Sequence, residues 1–219
     1  NSGAERLTPV NSILTHLPLI IQSKLLPLPP KTSMTSKEYL EKVTIGKPAE
    51  LSGKIILHEY DPNWEKTFMQ EKERIEKALQ GKNIIVEHVG STSVPGLCAK
   101  PIIDILLLVD DSADEAGYVK PLQDCGYTLR IREPEWYAHR MLKREKPEVN
   151  LHVFSTGCEE AERMTAFRDR LKTNEKDRQM YADTKKRLAA QDWKYIQKYA
   201  DAKSEVIQKI FRNISKLTD

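Results

Sequence analysis

Two short apolar runs near the middle of the chain, joined by a stretch of turn-forming residues, give the clearest pattern in the sequence. The runs, NIIVEHV and IIDILLLV, are rich in β-branched residues and too short for typical helices, so they predict two buried strands. Between them come Gly90, Gly96, three hydroxyl residues and Lys100, which is a composition typical of a functional loop. Asp104 lies inside the second run. Because an isolated carboxylate is unfavourable in an apolar setting, Asp104 must have a cation or hydrogen-bond donors beside it.

The spacing of apolar residues also predicts the elements on either side of this centre. A short strand is expected over residues 55–60, followed by a helix that starts at Asp61-Pro62 and ends near Gln80. A weaker helix over 112–125 and three strands over 127–132, 138–143 and 149–155 come next. After residue 157 the pattern is helical. It predicts three helices, and the last of them carries a continuous apolar seam from Trp193 to Ile214.

Two lysines interrupt the apolar faces of the last two predicted helices. Lys203 is the one polar residue of the final seam, and Lys185 lies between Tyr181 and Leu188 at helical spacing. One interpretation is that each lysine extends along its methylene stem to the surface. The other is that the two lysines share an anionic ligand. The sequence leaves both open.

Composition and charge restrict the function classes. The 219 residues include 35 basic and 32 acidic side chains, a net charge of +3, and no run of about 18 apolar residues that would predict a membrane span. Arginine and lysine alternate with acidic residues instead of forming a stripe with exposed aromatics, which disfavours nucleic acid as a partner. The three cysteines lack metal-binding spacing and predict reduced thiols in a cytoplasmic protein.

The chain divides into three parts on these patterns. Residues 1–33 are expected to be a disordered or non-native N-terminal extension, and residues 34–53 an arm lying on the domain. Residues 54–219 are expected to form the domain itself, with a sheet core over 54–156 and a helical part over 157–217.

The motif EHVGSTSVPGLCAKPIIDI resembles the GrpB family, together with YDPNW before it and HRM, NLHVF, FRD and YADAK after it. The resemblance covers about Met34 to the C-terminus. It implies an α/β (α+β) fold of the nucleotidyltransferase type, with a mixed β-sheet flanked by helices and a C-terminal helical segment. In some bacteria a domain of this family is fused to dephospho-coenzyme A kinase. The P-loop motif that such a kinase needs is missing from this sequence.

The nucleotidyltransferase superfamily implies a Gly-Ser turn that holds phosphate and a strand with two carboxylates that bind Mg²⁺. Gly90-Ser91 matches the turn and Asp104 matches the first acid. Leu106 stands where the second acid would be, and a later strand offers Asn150 and His152 in place of a third carboxylate. The resemblance therefore leaves open whether the protein is an enzyme.

Three hypotheses follow from the resemblance and the residues. In the first, Asp104 and His152 are catalytic and hold a divalent metal (Mg, Mn or Zn), with Glu87 or His88 as optional further ligands, and the protein transfers a nucleotidyl group. In the second, the domain binds a nucleotide, coenzyme A or another phosphorylated small molecule without transfer. The residues expected around the phosphate are Gly90, Ser91, Thr92, Ser93, Lys100, Arg140, Arg168, Lys185 and Lys203.

In the third hypothesis the fold is a partner-binding or chaperone-like module that recognises another protein. Purely structural roles are also open for the two central residues. Asp104 could accept hydrogen bonds from the amides of the Gly90 turn, and His152 could be a hydrogen-bonded histidine within the sheet.

Overall fold

The computed structural model describes residues 37–47, 54–193 and 196–215, and a five-stranded sheet forms its centre. The sheet order is β1-β2-β5-β4-β3, with β2 and β5 parallel and the other neighbours antiparallel. The strands are β1 (Ile85–Val89), β2 (Ile103–Val109), β3 (Thr128–Glu133), β4 (His139–Arg144) and β5 (Val149–Ser155). The two central apolar runs thus become neighbouring strands, as the sequence predicts.

Helices pack around this sheet and form the C-terminal part of the described chain. They are α1 (Lys37–Val43), α2 (Asn63–Ala78), α3 (Val119–Asp124), α4 (Glu159–Thr173), α5 (Glu175–Ala189), α6 (Ile196–Ala202) and α7 (Ser204–Ser215). The prediction of a mixed sheet flanked by helices, with a C-terminal helical segment, is confirmed. No helix of the described ranges combines the length and apolar character that crossing a membrane requires.

One face of the sheet, which we call the core face, carries the main hydrophobic core. Inward residues such as Ile105, Leu107 and Leu151 are fully buried there, and they pack against Phe68 and Ile75 of α2. The apolar stripe of α2 is the reason for this arrangement, because burying it removes large side chains from water. The core face holds α2 against the sheet and leaves the opposite face for the candidate site.

The opposite face, which we call the Asp104 face, is set by the register of the strands. Asp104 lies opposite Val89 of β1 and Asn150 of β5, and Leu106 lies opposite His152. Successive side chains of a strand point to opposite faces, so these residues project to the same side. Helix α4 covers part of this face, where Ala161 packs with Leu106, Val89 and Phe154.

Three predicted elements differ from the structure. Residues 55–60 form only an isolated bridge, between His58 and Ala99, instead of a strand. Prolines at 95 and 101 bracket the opposing segment and lack the N–H that a longer ladder needs. The predicted helix over 112–125 shortens to α3, and a 3₁₀ turn at Glu115–Gly117 precedes it. The predicted continuous last helix is divided into α6 and α7, with Lys203 at the break.

The N-terminal extension lies outside the described residues, and so does most of the predicted arm. Of the arm, residues 37–47 are described. Helix α1 packs near β3, where the amide of Ile45 donates to the carbonyl of Arg130 at 2.8 Å. The Tyr39 hydroxyl donates to Glu133 at 2.6 Å.

Candidate functional site

Asp104 is half-buried at the start of β2, and its carboxylate is held by a side chain from the neighbouring strand. The Nδ2 of Asn150 donates a hydrogen bond to Oδ1 of Asp104 at 2.8 Å. Burial raises the pKa of the Asp104 carboxyl, while this hydrogen bond and the charges of three lysines oppose the rise. Within the described residues the amides of the Gly90 turn make no hydrogen bond to Asp104. The structural role in which that turn satisfies the acid is therefore wrong.

Gly90 allows the turn to pass directly against Asp104. Its φ angle is +69°, and a Cβ atom built there would lie 2.3 Å from Oδ2 of Asp104. Any side chain at this position would therefore clash with the carboxylate and also occupy an unfavourable backbone conformation. The close approach explains why the chain places a glycine immediately before the hydroxyl residues of the turn.

Three lysines, Lys100, Lys185 and Lys203, converge on Asp104, and we call them the lysine cluster. The charges of all three act on the Asp104 carboxylate. Lys185 is only 3% exposed, and its ammonium donates to the carbonyl of Cys98 at 2.5 Å. The interpretation that Lys185 reaches the surface is therefore wrong. Lys100 and Lys203 are half-buried.

The lysine cluster has acidic neighbours besides Asp104, because Glu148 acts on Lys100 and Asp201 acts on Lys203. Burial lowers the pKa of Lys185 to about 7, and the nearby charge of Lys203 acts in the same direction. Burial also lowers the pKa of Lys203 and of Lys100, and Asp104 opposes this at both positions. Burial thus shifts all three lysines toward their neutral form, and an added anion beside them would favour the charged form.

Each of the two helical lysines lies beside a tyrosine four residues earlier. The Nζ of Lys185 is 5.5 Å from the ring centre of Tyr181, and the Nζ of Lys203 is 4.7 Å from that of Tyr199. The two segments read YADTK and YADAK in the sequence. Residues four apart share a helix face, so the repeated motif presents a Tyr-Lys pair twice. Neither tyrosine is among the site residues predicted from the sequence, and this internal repeat is the signal that would identify them.

The hydroxyl of Tyr199 is fully buried and has no hydrogen-bond partner among the residues that the structure describes. Its neighbours include Tyr181 and Cys98, whose electrostatic effects reach the phenol. Burial raises the pKa of Tyr199, so this group is a neutral O–H donor at physiological pH. Buried hydroxyls are normally satisfied, so Tyr199 has a hydrogen-bond donor that the described residues leave unused.

Two of the three hydroxyl residues of the turn bind backbone carbonyls instead of lying free for a phosphate. Thr92 donates to the carbonyl of Ile102 at 3.1 Å, and Ser93 donates to the carbonyl of Gly90 at 2.6 Å. Both side chains are almost fully buried, so the assignment of their hydroxyls to phosphate binding is wrong. Ser91 is half-buried and hydrogen-bonds with Tyr181, whose pKa is nevertheless raised by burial to about 12. Of the three hydroxyls, Ser91 is the one directed toward the lysine cluster.

The two arginines predicted at the phosphate do not join the lysine cluster. Arg140 lies on the core face and is 5% exposed, and its Nε donates to Glu115 at 2.5 Å. Its placement near Asp104 is therefore wrong, because alternation along β4 directs it to the other side of the sheet. Arg168 of α4 lies above β1, where it donates to Glu87 at 2.5 Å and to the carbonyl of His88 at 3.0 Å.

His152 projects from the same face as Asp104 but one residue pair further along β5. Its Nδ1 is 3.1 Å from Nε2 of His139. Within residues 37–47, 54–193 and 196–215, no three His, Cys, Asp or Glu side chains lie together as a ligand set for a metal ion. The residues around Asp104 are lysines, an amide and Leu106, which do not fit the carboxylate site that Mg²⁺ prefers.

Residues 54–213, which are most of the chain, match the family described as GrpB protein. The chain belongs to the GrpB family. A UPF0157 protein of Halalkalibacterium halodurans is 54% identical over 175 residues, which cover 80% of this chain and 90% of that protein. The crystal structure of the conserved protein GrpB from Enterococcus faecalis superposes with a TM-score of 0.58. It is 29% identical in sequence, and the match covers 71% of this chain and 99% of that one.

A third relative of the GrpB-family domain covers only a segment. A dephospho-CoA kinase of Mycolicibacterium paratuberculosis is 36% identical over 70 residues, which amount to 31% of this chain and 17% of that protein. The superposition with the Enterococcus faecalis protein supports the same overall fold in that relative.

Proposed function

We propose that this GrpB-family domain binds a phosphate-bearing ligand, such as a nucleotide or coenzyme A, at the lysine cluster. The observation that carries the proposal is the convergence of three buried or half-buried lysines on one carboxylate, Asp104. A phosphate group would favour the charged form of these lysines through charge-assisted hydrogen bonds. Lys185 donates one of its three N–H groups to the carbonyl of Cys98, so the others remain for a ligand.

The buried hydroxyl of Tyr199 supports a ligand with several acceptor oxygens. It is an unsatisfied donor next to Lys203, whose ammonium lies over its ring. A phosphate oxygen would satisfy both groups at once. The two Tyr-Lys pairs, one on α5 and one at the end of α6, provide similar donors from two directions. This arrangement favours a diphosphate or triphosphate over a single phosphate.

The metal-dependent alternative, nucleotidyl transfer, has weaker support in the side chains. Asp104 is the only acid of the strand pair that faces the lysines, and Leu106 takes the place of a second ligand. The ammonium groups can neutralise phosphate oxygens in the way that a divalent cation would. We therefore infer that binding proceeds through the lysines and requires no metal.

A thermal-shift experiment with defined ligands tests the proposal. Wild type is heated with ATP, pyrophosphate or coenzyme A, each in EDTA and again with Mg²⁺. Ligand at about 100 times its Kd should stabilise the protein by about 2.7 kcal/mol, a rise of several degrees in Tm. Coenzyme A is included because one relative is named as a dephospho-CoA kinase.

Variants show where the ligand binds and what it needs. Lys185→Met should abolish the shift, while Lys186→Met, which replaces an exposed neighbour on the same helix, should retain it. A shift that persists in Lys185→Met would refute the site, and no shift with any ligand would refute phosphate binding. A shift that requires Mg²⁺ and is lost in Asp104→Asn would instead support the transferase hypothesis.

A further inference from the structure

A carboxylate and two histidines form a hydrogen-bonded chain across strands β3, β4 and β5. Oε2 of Glu133 is 2.6 Å from Nδ1 of His139, and Nε2 of His139 is 3.1 Å from Nδ1 of His152. The two imidazole rings are stacked, with centres 5.3 Å apart, and His139 also stacks on Phe154 at 4.6 Å. His139 is buried and Glu133 is half-buried, which restricts the movement of the hydrogen-bonded chain.

The carboxylate determines which nitrogens of the two rings carry hydrogen. Glu133 accepts the Nδ1–H of His139, and in this Nδ1–H tautomer the Nε2 of His139 is an acceptor. His152 must then donate from Nδ1, so its own Nε2 carries a lone pair. Burial and the neighbouring His139 lower the pKa of His152 to about 3, so this ring is neutral at pH 7.

The free nitrogen of His152 is directed away from the chain and has no partner among the described residues. His152 is half-buried as a residue, and its unpaired Nε2 atom is partly exposed. It therefore remains accessible from the Asp104 face. Leu106 and Met141 flank it on the neighbouring strands, which makes its surroundings apolar. A hydrogen bond to this nitrogen would be strengthened by that setting.

The position of His152 relative to the lysine cluster suits a ligand with two different ends. Asp104 pairs with Asn150, and His152 is two residues further along the same strand. Two residues of strand correspond to about 7 Å. Phosphate oxygens at the lysines and a hydroxyl group at His152 would therefore belong to one small molecule.

We propose that Nε2 of His152 accepts a hydrogen bond from a hydroxyl of the phosphate-bearing ligand, as on the sugar of a nucleotide. Glu133 and His139 are positioning residues that hold His152 in the accepting tautomer. This inference rests on the proposed function, because the phosphate end locates the ligand on the Asp104 face. It identifies the ligand as one that carries hydroxyl groups a short distance from its phosphates.

The tautomer can be measured in the protein without any ligand. Long-range ¹H–¹⁵N NMR of histidine-labelled protein at pH 7 should show His152 protonated at Nδ1 and not at Nε2. His139→Phe keeps the stacked ring but removes the acceptor, so His152 should change to the Nε2–H form. Met141→Leu, which replaces the residue opposite His152 on β4, should leave the tautomer of His152 unchanged. An Nε2–H signal for His152 in wild type would overturn the inference.

A matched pair of nucleotides tests the hydroxyl contact directly. In EDTA, wild type should bind ATP up to about tenfold more tightly than 2′,3′-dideoxy-ATP, the size expected for one hydrogen bond. His152→Phe should bind both equally and should keep the affinity of wild type for pyrophosphate. If pyrophosphate binds but wild type does not distinguish the two nucleotides, the inference fails and the proposed function stands. If pyrophosphate does not bind wild type, the proposed function itself fails.

Discussion

The two faces of the sheet treat buried charge in opposite ways. On the core face, Glu71 is 2% exposed and accepts from Arg144 at 3.1 Å and from the hydroxyl of Tyr127 at 2.7 Å. On the Asp104 face, Lys185 is 3% exposed and its ammonium donates to the carbonyl of Cys98, with no carboxylate at salt-bridge distance among the described residues. The first charge is neutralised by a direct partner within the protein, and the second is not. The comparison indicates that the paired charges of the core face serve stability, whereas burial of Lys185 without a paired carboxylate is unfavourable.

A second carboxylate on the core face, Glu115, is also held by basic side chains. Glu115 accepts from Arg132 at 2.6 Å and from Arg140 at 2.5 Å. The hydrogen bond from Arg132 is the main reason that the pKa of Glu115 is lowered to about 2. Both arginines are thus committed to structure, which explains why Arg140 contributes nothing near Asp104.

Removing one partner from the core face should have the largest effect on stability. Glu71→Gln leaves the Arg144 guanidinium without its counter-charge, and we expect a loss of about 3–4 kcal/mol. Urea unfolding followed by circular dichroism measures it. Glu73→Gln, at an exposed position of the same helix, should change the free energy of unfolding by less than about 0.5 kcal/mol. Equal stability of both variants would show that the pairing on this face does not stabilise the fold.

The next effect concerns the contact between the turn and Asp104. Gly90→Ala should destabilise the protein by about 2–3 kcal/mol, because the new Cβ meets the carboxylate and the φ angle is positive. Gly96→Ala is the matched control. Its φ is +77° and nothing lies within 4 Å, so only the conformational part, about 1 kcal/mol, should remain.

The double variant Gly90→Ala with Asp104→Ala separates the two contributions. Removing the carboxylate should restore the part of the stability that the clash removes, and chemical denaturation of all four proteins measures the coupling. If Gly90→Ala and Gly96→Ala cost the same, the close approach to Asp104 has no energetic consequence.

On the Asp104 face a substitution should raise stability. Lys185→Met replaces a buried cation by an apolar side chain of similar length, and we expect a gain of about 1–3 kcal/mol at pH 7. The pKa of Lys185 is about 7 in the folded state and 10.5 ordinarily, so the unfolded state binds more protons between these values. Wild type therefore gains stability as pH rises through this window, and the advantage of the variant should decrease.

Urea unfolding at pH 7, 8.5 and 10 measures this trend for Lys185→Met. Lys186→Met, at an exposed position, should show no advantage that varies with pH. A loss of stability in Lys185→Met that is constant across the range would mean that Lys185 is a structural residue satisfied by Cys98 alone.

The sheet could be predicted from the sequence because its strands are local apolar runs. The bounds of β5, Val149–Ser155, agree with those expected, and the two central strands fall within their predicted runs. The isolated bridge at His58 could not be predicted in this way. Whether residues 55–60 form a strand depends on their partner, and proline residues limit that partner.

The site was predicted in part, and the failures have a common cause. Asp104, Gly90 and the two helical lysines were identified because each breaks a local pattern. Long-range packing decides from which face of the sheet Arg140 projects and which group the Thr92 hydroxyl contacts. A local sequence pattern does not carry this information. Tyr199 is not among the predicted site residues, because its exceptional feature, an unsatisfied hydroxyl, exists only in the folded arrangement.

The most direct test of the account is whether ligand binding takes up protons. At pH 8 Lys185 is largely neutral, and a bound phosphate should raise its pKa. Calorimetric titration with ATP in EDTA, repeated in two buffers of different ionisation enthalpy, measures the protons exchanged. The account predicts net proton uptake in wild type and Lys186→Met, and a smaller uptake with weaker binding in Lys185→Met. Absence of binding, or an uptake that is unchanged in Lys185→Met, would contradict it.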